Sequence, residues 1–152
     1  MDTSDSLRNI ANVFDGPPRV AVARMNLLEA VRATPSSLTD LERLLVAFTA
    51  STVNGARADV ESLRAELDAI GAPAGLVDSV ERAAGRWSVC DDDRLAVIVD
   101  YAAKLTRAPA AISADDLQPL RVAALTDLDI VVLNNIVGAY NYVNRARAGS
   151  TE

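Results

Sequence analysis

The chain has 152 residues, half of them apolar, which is enough for one hydrophobic core and too few for several domains. A formal net charge of −6, without any cluster of Lys and Arg, argues against nucleic acid as a partner. A single cysteine and no histidine exclude an intrachain disulfide and remove the commonest metal ligand and general base, so we expect neither metal nor cofactor.

Hydropathy argues against a membrane partner. No strictly apolar run is longer than LAVIV at residues 95–99, which is far below the roughly 20 residues that span a bilayer. The polar start MDTSDSLRN lacks the pattern of a signal peptide, so we expect a cytoplasmic protein. Alanine is the commonest residue, with 27 copies, and β-branched runs are short, which favours helices over strands.

The first three predicted helices are separated by clear breaks. A short helix at residues 4–14 ends at DGPP, where glycine and two prolines interrupt it, and Pro18 is suited to begin a second helix that ends near residue 33. Thr39 and Glu42 form a capping-box pattern, in which each side chain bonds the other's backbone amide. This pattern predicts the start of a third helix.

Turn residues also mark the next boundaries. Asn54-Gly55 predicts the end of the third helix, and a fourth helix at residues 56–70 closes at Gly71 ahead of Pro73. A fifth helix is predicted at residues 73–86. The fourth helix therefore begins directly after a tight corner, which places its first turn beside the end of the third helix.

The last helices complete an all-α pattern. A sixth helix is predicted at residues 91–105, and residues 113–116 start a seventh, in which Pro119 should either introduce a kink or mark a late start. Thr126 and Asp129 resemble another capping box and begin a long helix that ends near residue 147. We expect a single all-α domain of about seven or eight helices over residues 1–152, with the third, fourth, sixth and eighth in the core.

Several stretches carry a family resemblance. LERLLVAFTASTVNG at residues 41–55, AKLTRAPAAIS at 103–113, LTDLDI at 125–130 and AYNYVNR at 139–145 resemble the alkylhydroperoxidase D-like (AhpD-like) or carboxymuconolactone decarboxylase-like family. The resemblance covers about residues 38–145. It implies an all-helical fold that assembles as a dimer, trimer or hexamer, and we expect at least a homodimer.

The resemblance also implies what the corner has lost. Redox-active members of that family follow Asn-Gly with two cysteines three residues apart and then a histidine, and they carry a glutamate in the preceding helix. The matching positions here, in that order, are Ala56, Asp59, Leu63 and Leu44. The position between the cysteines is Ala58. The Asn-Gly frame is retained, whereas every relay residue is replaced, so we expect no thiol peroxidase activity.

Cys90 is a poor substitute for the missing cysteines. Its place ahead of a predicted helix would lower the pKa of its thiol, but three aspartates at residues 91–93 follow it and disfavour a thiolate. We interpret Cys90 as an incidental small residue.

Asp59 has two interpretations. It shares a helix face with Ala56 and Leu63, at spacings of 0, 3 and 7, joined by Ser62 and Glu66. In the family that face looks into the pocket, where desolvation would raise the pKa of a carboxylate and suit it for general acid or base catalysis. Alternatively, Asp59 is an acid in the first turn that stabilises the positive end of the helix dipole.

Asparagines interrupt the apolar series of the last helix, at positions 134, 135, 141 and 144. Buried amides need partners, and we favour a packing or subunit-contact role over substrate binding, because the NYVNR stretch is retained although the redox residues are gone. Trp87 and Tyr101 are candidate pocket walls, although large aromatics are more often core or interface.

Two classes of function remain after these exclusions. The first is a cofactor-free lyase, isomerase or cyclase in which Asp59 moves a proton on a small carbonyl compound or lactone. The second is a catalytically silent oligomeric binding or scaffold protein. The candidate residues for binding a small-molecule substrate are Leu44, Ala56, Ser62, Leu63, Glu66, Trp87 and Tyr101.

Overall fold

The computed structural model describes residues 18–82 and 92–149. Within these ranges the regular structure is entirely helical, with seven α-helices, a short 3-10 turn at Pro109–Ala111 and no strand, so the all-α prediction is confirmed. The helices are α1 (Pro18–Ala33), α2 (Asp40–Val53), α3 (Arg57–Ala69), α4 (Ala74–Arg82), α5 (Asp93–Arg107), α6 (Ala114–Val122) and α7 (Asp127–Ala148).

Two predicted features lie outside the described ranges. One is the first helix, at residues 4–14, and the other is the end of the fifth helix, near residue 86. The start of α5 lies two residues later than predicted. The Asp92 carboxylate accepts hydrogen bonds from the backbone amides of Arg94 (3.0 Å) and Leu95 (3.2 Å), and this cap sets the first residue of the helix at Asp93.

Pro119 lies inside α6 and does not mark a late start. The helix begins at Ala114, because the Ser113 amide donates to the Asp116 carboxylate at 2.8 Å and so completes a capping box. Pro119 therefore costs α6 one backbone hydrogen bond. The helix ends soon afterwards at Val122, and Ala124 then adopts a left-handed conformation with φ +63°.

Helix α2 is the centre of the molecule. Ten consecutive residues of α2, 42–51, are buried, which is the pattern of a helix surrounded by protein on all sides. It packs against α3, α4, α5 and α7, and α1 packs on α7. The predicted core helices correspond to α2, α3, α5 and α7, and the core also includes Leu28 of α1, Val77 of α4 and Leu120 of α6.

Asp129 joins the start of α7 to the loop that precedes α2. Its buried carboxylate accepts hydrogen bonds from the amide and hydroxyl of Thr126 (2.8 and 2.7 Å) and from the amide and hydroxyl of Ser37 (2.7 and 2.8 Å). Burial alone would raise the pKa of Asp129, but these donors hold it well below its usual range. One carboxylate therefore caps the start of α7 and holds it against the loop that precedes α2.

No described helix has, by itself, the length and hydropathy of a membrane span. Helices α6 and α7 meet that test only when taken together, and they are bent by 117° relative to each other.

Replacement of Asp129 tests this connection. We expect Asp129→Asn to lower the free energy of unfolding at pH 7 by about 2–3 kcal/mol, since hydrogen bonds to a charged acceptor are lost. Because the folded-state pKa of Asp129 is depressed, the wild-type contribution is present above about pH 4 and is lost as the pH falls further. Urea unfolding at several pH values measures both effects. The control is Asp115→Asn, an exposed first-turn acid of α6, and an equal loss in both variants would contradict the prediction.

Candidate functional site

The candidate site is the corner between α2 and α3. Asn54 ends α2, with its amide bonded to the Ala50 carbonyl at 3.0 Å, and Gly55 follows with φ +69°. That left-handed conformation favours glycine and turns the chain into α3. The Ala56 amide then donates to the Ser51 carbonyl at 2.9 Å, which closes the turn.

The end of α7 holds this corner through two asparagines. The Asn54 side-chain amide donates to the Asn141 side-chain oxygen at 2.8 Å, and the Asn144 amide donates to the Ser51 hydroxyl at 3.3 Å. These contacts explain in physical terms why the Asn-Gly and NYVNR stretches occur together in this chain. They support a packing role for Asn141 and Asn144.

Asp59 is fully buried in the first turn of α3, with an exposed fraction of 0%. Its Oδ1 accepts a hydrogen bond from Arg147 Nη1 at 2.7 Å, which forms an ion pair with the last turn of α7. Within residues 18–82 and 92–149, no donor lies within hydrogen-bonding distance of Asp59 Oδ2. The corner therefore contains one carboxylate oxygen that is paired and one that is not.

The electrostatics of Asp59 are dominated by burial. Desolvation raises the pKa of Asp59 above its ordinary value, although the charge and hydrogen bond of Arg147 oppose the shift. Asp59 is the second-cysteine position of the family pattern, so a desolvated carboxylate now stands where a thiol is expected. A carboxylate with a raised pKa accepts or releases a proton nearer to neutral pH than an exposed aspartate does.

A second ion pair lies two turns further along α3. Glu66 accepts hydrogen bonds from Arg32 of α1 at 2.5 and 3.3 Å, so the two side chains bind in a bidentate manner. Burial raises the pKa of nearby Tyr140 to about 12, with the charge of Arg32 opposing that shift, and the phenol stays neutral. Glu66 thus links α3 to α1.

The other predicted pocket positions around the corner are filled or partly covered. Leu44 and Leu63, which take the glutamate and histidine positions, are both buried in the core. Ala56 caps α3 without a side-chain hydrogen bond, and Ala58 and Ser62 are half-buried. The face with Asp59, Leu63 and Glu66 is the buried face of α3, as its spacing indicates.

The structure does not bring Tyr101 to Asp59. The Tyr101 hydroxyl donates to Asn134 at 3.0 Å, and Asn134 lies about 20 Å along α7 from Arg147 at a rise of 1.5 Å per residue. Trp87 and Cys90 lie outside the described residues. The side chains that the structure joins at the corner are therefore Asp59, Arg147, Asn54, Asn141, Ser51 and Asn144.

Sequence reasoning missed Arg147 as the partner of Asp59 and Arg32 as the partner of Glu66. Arg147 lies just beyond the stretch that resembles the family, and Arg32 lies well before it. A pattern was nevertheless present, because Asn141, Asn144 and Arg147 recur every three residues near the end of the last helix. Polar residues on one buried helix face need partners on the facing element.

The described residues offer little to a metal ion. No group of three or more Cys, Asp or Glu side chains in ranges 18–82 and 92–149 is arranged to hold one. What the arrangement provides is a carboxylate and a guanidinium in a desolvated setting, which is suited to proton transfer and to the binding of a developing negative charge.

Comparisons with known proteins show which solved structures have a similar fold. No family model matches the chain, and no curated protein sequence matches it. Among solved structures, an uncharacterized peroxidase-related protein from Silicibacter sp. TM1040 is similar, with a TM-score of 0.76 and 26% identity over 88% of this chain and 69% of that chain.

Two further structures agree with the first. One is a protein of unknown function from Agrobacterium tumefaciens, described as an antioxidant defence protein of the AhpD type. It has a TM-score of 0.77 and 22% identity, and the match covers 88% of this chain and 89% of that chain. The other is an uncharacterized peroxidase-related protein from Ralstonia eutropha JMP134, with an alkylhydroperoxidase AhpD core. It has a TM-score of 0.76 and 21% identity, and the match covers 87% of this chain and 68% of that chain.

The helices and these neighbours define the class of protein, an all-helical protein with an AhpD-like fold. The chain shares this fold with the three solved structures. Within that fold it is a form whose corner holds Asp59 and Arg147, with a single cysteine in the whole sequence and no histidine.

The two members of the Asp59–Arg147 pair should differ in how much they stabilise the protein. We expect Arg147→Met to lower the free energy of unfolding by about 3 kcal/mol at pH 7, since it leaves a buried carboxylate uncompensated. Asp59→Asn should cost about 1 kcal/mol, because Arg147 is 14% exposed and reaches water. In Arg147→Met the pKa of Asp59 rises further, so part of the lost stability returns as the pH falls from 7 and the acid is protonated.

Urea unfolding at pH 5 and pH 7 measures these differences. The control is Arg57→Met, an exposed arginine of the same corner. If Asp59→Asn lowered the free energy of unfolding more than Arg147→Met does, the prediction that the unpaired carboxylate is the more costly group would be wrong.

Proposed function

We propose that the corner is a cofactor-free acid/base site in which Asp59 moves a proton on a neutral organic substrate. The observation that carries the proposal is the state of the carboxylate: Asp59 is fully buried, and Oδ2 has no donor among the described residues. A buried and unsatisfied carboxylate oxygen destabilises a fold and calls for an explanation, and a catalytic role supplies one.

The chemistry follows from the pair. Asp59 Oδ2 takes a proton from a carbon next to a carbonyl group, the C–H electron pair moves toward the carbonyl oxygen, and an enolate forms. Arg147 then faces the negative oxygen and stabilises it. Where a C=C bond is conjugated with the enolate, return of the proton at the γ-carbon gives an isomer. Where the β-carbon carries a leaving group, that group departs with its bonding electrons, a C=C bond forms and the carbonyl is restored, which is the reaction of a lyase.

Access to the carboxylate depends on Arg147. Asp59 is not exposed, so a substrate must displace the Arg147 side chain, which is part-exposed in the last turn of α7. Helix ends open more readily than helix centres. The pair therefore serves as a resting state in which the carboxylate is held in place and excluded from water.

The substrate class we propose is a small carbonyl compound or lactone, and the reaction is that of a lyase, isomerase or cyclase, within a biosynthetic pathway. Hydroperoxide reduction by a dithiol cycle needs two cysteines to form and exchange a disulfide, and this chain has one. We further propose that the protein assembles as a homo-oligomer.

A second candidate is a catalytically silent oligomeric binding or scaffold protein. It is favoured by a specific observation: Leu44 and Leu63 are buried where the family pattern has polar relay residues, so apolar side chains fill those two positions. In that case Asp59 and Arg147 only join α3 to α7.

Asp59→Asn separates the two candidates. It keeps the shape of the side chain and removes the titratable proton. We expect the wild-type protein to catalyse deuterium exchange next to the carbonyl of an enolisable γ-lactone or β-keto acid in D2O, followed by proton NMR. The variant should lose about 100-fold or more of the rate. The base must be ionised to accept a proton, and burial raises the pKa of Asp59 above its ordinary value. The exchange rate of the wild-type protein should therefore still increase with pH above about pH 4.

Glu61→Gln is the matched control, since Glu61 is an exposed acid of the same helix and should leave the rate unchanged. Equal rates for Asp59→Asn and wild type would rule out Asp59 as the base. Exchange at the buffer rate across the whole panel would favour the silent protein.

A further inference from the structure

Tyr140 of α7 is the largest side chain among those that the described chain buries completely. Its exposed fraction is 0%, and within residues 18–82 and 92–149 no group lies in hydrogen-bonding geometry with its hydroxyl. A buried phenol normally gives its hydroxyl a partner, because a polar group taken out of water without one costs free energy. A phenylalanine would fill the same space without that cost, so packing does not account for the hydroxyl.

The other two tyrosines do not share this state. The Tyr101 hydroxyl donates to the Asn134 side-chain oxygen at 3.0 Å, and Tyr142 is 55% exposed. Of the three tyrosines, Tyr140 alone has a hydroxyl that is buried without a partner in the described part of the chain. A buried polar group of this kind calls for an explanation, and contact with a ligand is one.

Tyr140 lies close to both buried ion pairs of the candidate site. Along α7 it precedes Arg147 by seven residues, which is about two turns on one helix face. Along α3 the same spacing separates Asp59 from Glu66. Arg147 binds Asp59, and Arg32 binds Glu66. The two pairs therefore lie about two turns apart, and the position of Tyr140 on α7 matches that of Glu66 on α3.

Charges from both pairs act on the phenol. Burial raises the pKa of Tyr140 to about 12, the charges of Glu66 and Asp59 raise it as well, and the guanidinium of Arg32 opposes them. The hydroxyl therefore keeps its proton at neutral pH. In this environment Tyr140 is a neutral hydrogen-bond donor and not a charged group.

The neighbouring ion pair leaves that proton unused. Both carboxylate oxygens of Glu66 accept from Arg32, at 3.3 and 2.5 Å. Arg32 approaches the phenol closely enough to influence its pKa, yet it is not in hydrogen-bonding geometry with the hydroxyl. A guanidinium only donates hydrogen bonds, so even a closer approach by Arg32 would leave the phenol's own proton available.

Asp59 and Tyr140 thus offer complementary atoms. Asp59 Oδ2 accepts a proton and Tyr140 Oη donates a hydrogen bond, and neither atom has a partner among residues 18–82 and 92–149. Formation of an enolate needs both functions, because a base removes the C–H proton while negative charge develops on the carbonyl oxygen. A fixed donor in a site without water stabilises that charge.

Tyr140 is better fixed than Arg147 for this purpose. Arg147 lies in the last turn of α7 and has to move before a substrate reaches Asp59, whereas Tyr140 lies two turns further inside and belongs to the hydrophobic core. A donor that keeps its position needs no reorganisation when the charge develops.

We propose that the Tyr140 hydroxyl is a second catalytic group, which donates a hydrogen bond to the carbonyl oxygen of the substrate while Asp59 takes the proton from the adjacent carbon. The proposal rests on the acid/base function proposed above. In this step the C–H bond breaks and its proton goes to Asp59 Oδ2. The C–H electron pair forms the C=C bond of the enolate, and the carbonyl π electrons move to the oxygen that Tyr140 binds. The substrate is therefore a compound whose carbonyl oxygen points inward, toward the core.

Tetronate, the stable enolate of a β-keto-γ-lactone, is the probe for this contact. It carries the negative oxygen that enolisation creates, and it binds without any proton transfer. Asp59→Asn imitates the protonated carboxyl group that faces such an enolate. Isothermal titration calorimetry at pH 7 should show that Tyr140→Phe weakens tetronate binding about tenfold or more, since a hydrogen bond to a charged oxygen is lost. The comparison is made in both the wild-type and the Asp59→Asn protein.

Thermal unfolding distinguishes this role from a structural one. Tyr140→Phe removes a buried hydroxyl that has no partner in the described chain, so the midpoint should be unchanged or higher. Tyr101→Phe is the matched control, because it removes a buried hydroxyl that donates to Asn134. It should lower the midpoint and leave tetronate binding unchanged. A lower midpoint for Tyr140→Phe would show that the fold already uses its hydroxyl and would overturn the proposal.

The result is separable from a failure of the base. Equal tetronate affinities with and without the Tyr140 hydroxyl, or no tetronate binding by either the wild-type or the Asp59→Asn protein, would overturn Tyr140 as the donor whatever the deuterium exchange shows. If Tyr140→Phe weakens binding while Asp59→Asn exchanges deuterium as fast as wild type, the contact with Tyr140 would be confirmed and Asp59 would be ruled out as the base.

Discussion

Ten consecutive buried residues in α2 impose a requirement on the whole chain, because every polar group in that stretch has to find its partner inside the protein. Arg43 meets the requirement by donating to the carbonyls of Leu38 (3.0 Å) and Arg32 (3.0 Å) and to the Ser36 hydroxyl (2.8 Å), which fixes the loop between α1 and α2. Glu42 accepts from the Thr39 amide at 2.7 Å and from Arg94 of α5 at 2.5 Å. The central helix thereby orients its neighbours through directional bonds as well as through packing.

The corner at the end of α2 follows the same rule. Ser51 and Asn54 are bonded to asparagines of α7, and Asp59 is bonded to Arg147 one turn beyond them. The side-chain bonds from Asn54 and Ser51 to α7 do not involve the side chains at positions 56 and 59, so this part of the corner does not depend on which residues occupy those two positions. In this chain the first turn of α3 carries one member of a desolvated ion pair, Asp59 with Arg147.

Local rules predicted much of the fold. The capping boxes at Thr39 and Thr126 and the helix end at Asn54-Gly55 are confirmed, because each depends on residues within a few positions of one another. Tertiary partners were not predictable in this way. Ser37 is 92 residues from Asp129, and Arg147 is 88 residues from Asp59, and no local pattern links them. The burial of Asp59 followed from its helix face, whereas the guanidinium beside it required the three-dimensional path of α7.

Everything proposed for the corner depends on the protonation equilibrium of one carboxyl group. Titration of the Asp59 side-chain carbon by carbon-13 NMR, with the resonance assigned from its absence in Asp59→Asn, measures that equilibrium directly. We expect the midpoint to lie above the value of about 3.9 that is ordinary for aspartate, since burial raises the pKa more than Arg147 lowers it. A midpoint at or below that value would contradict the desolvated acid and would leave the pair as an ordinary structural ion pair.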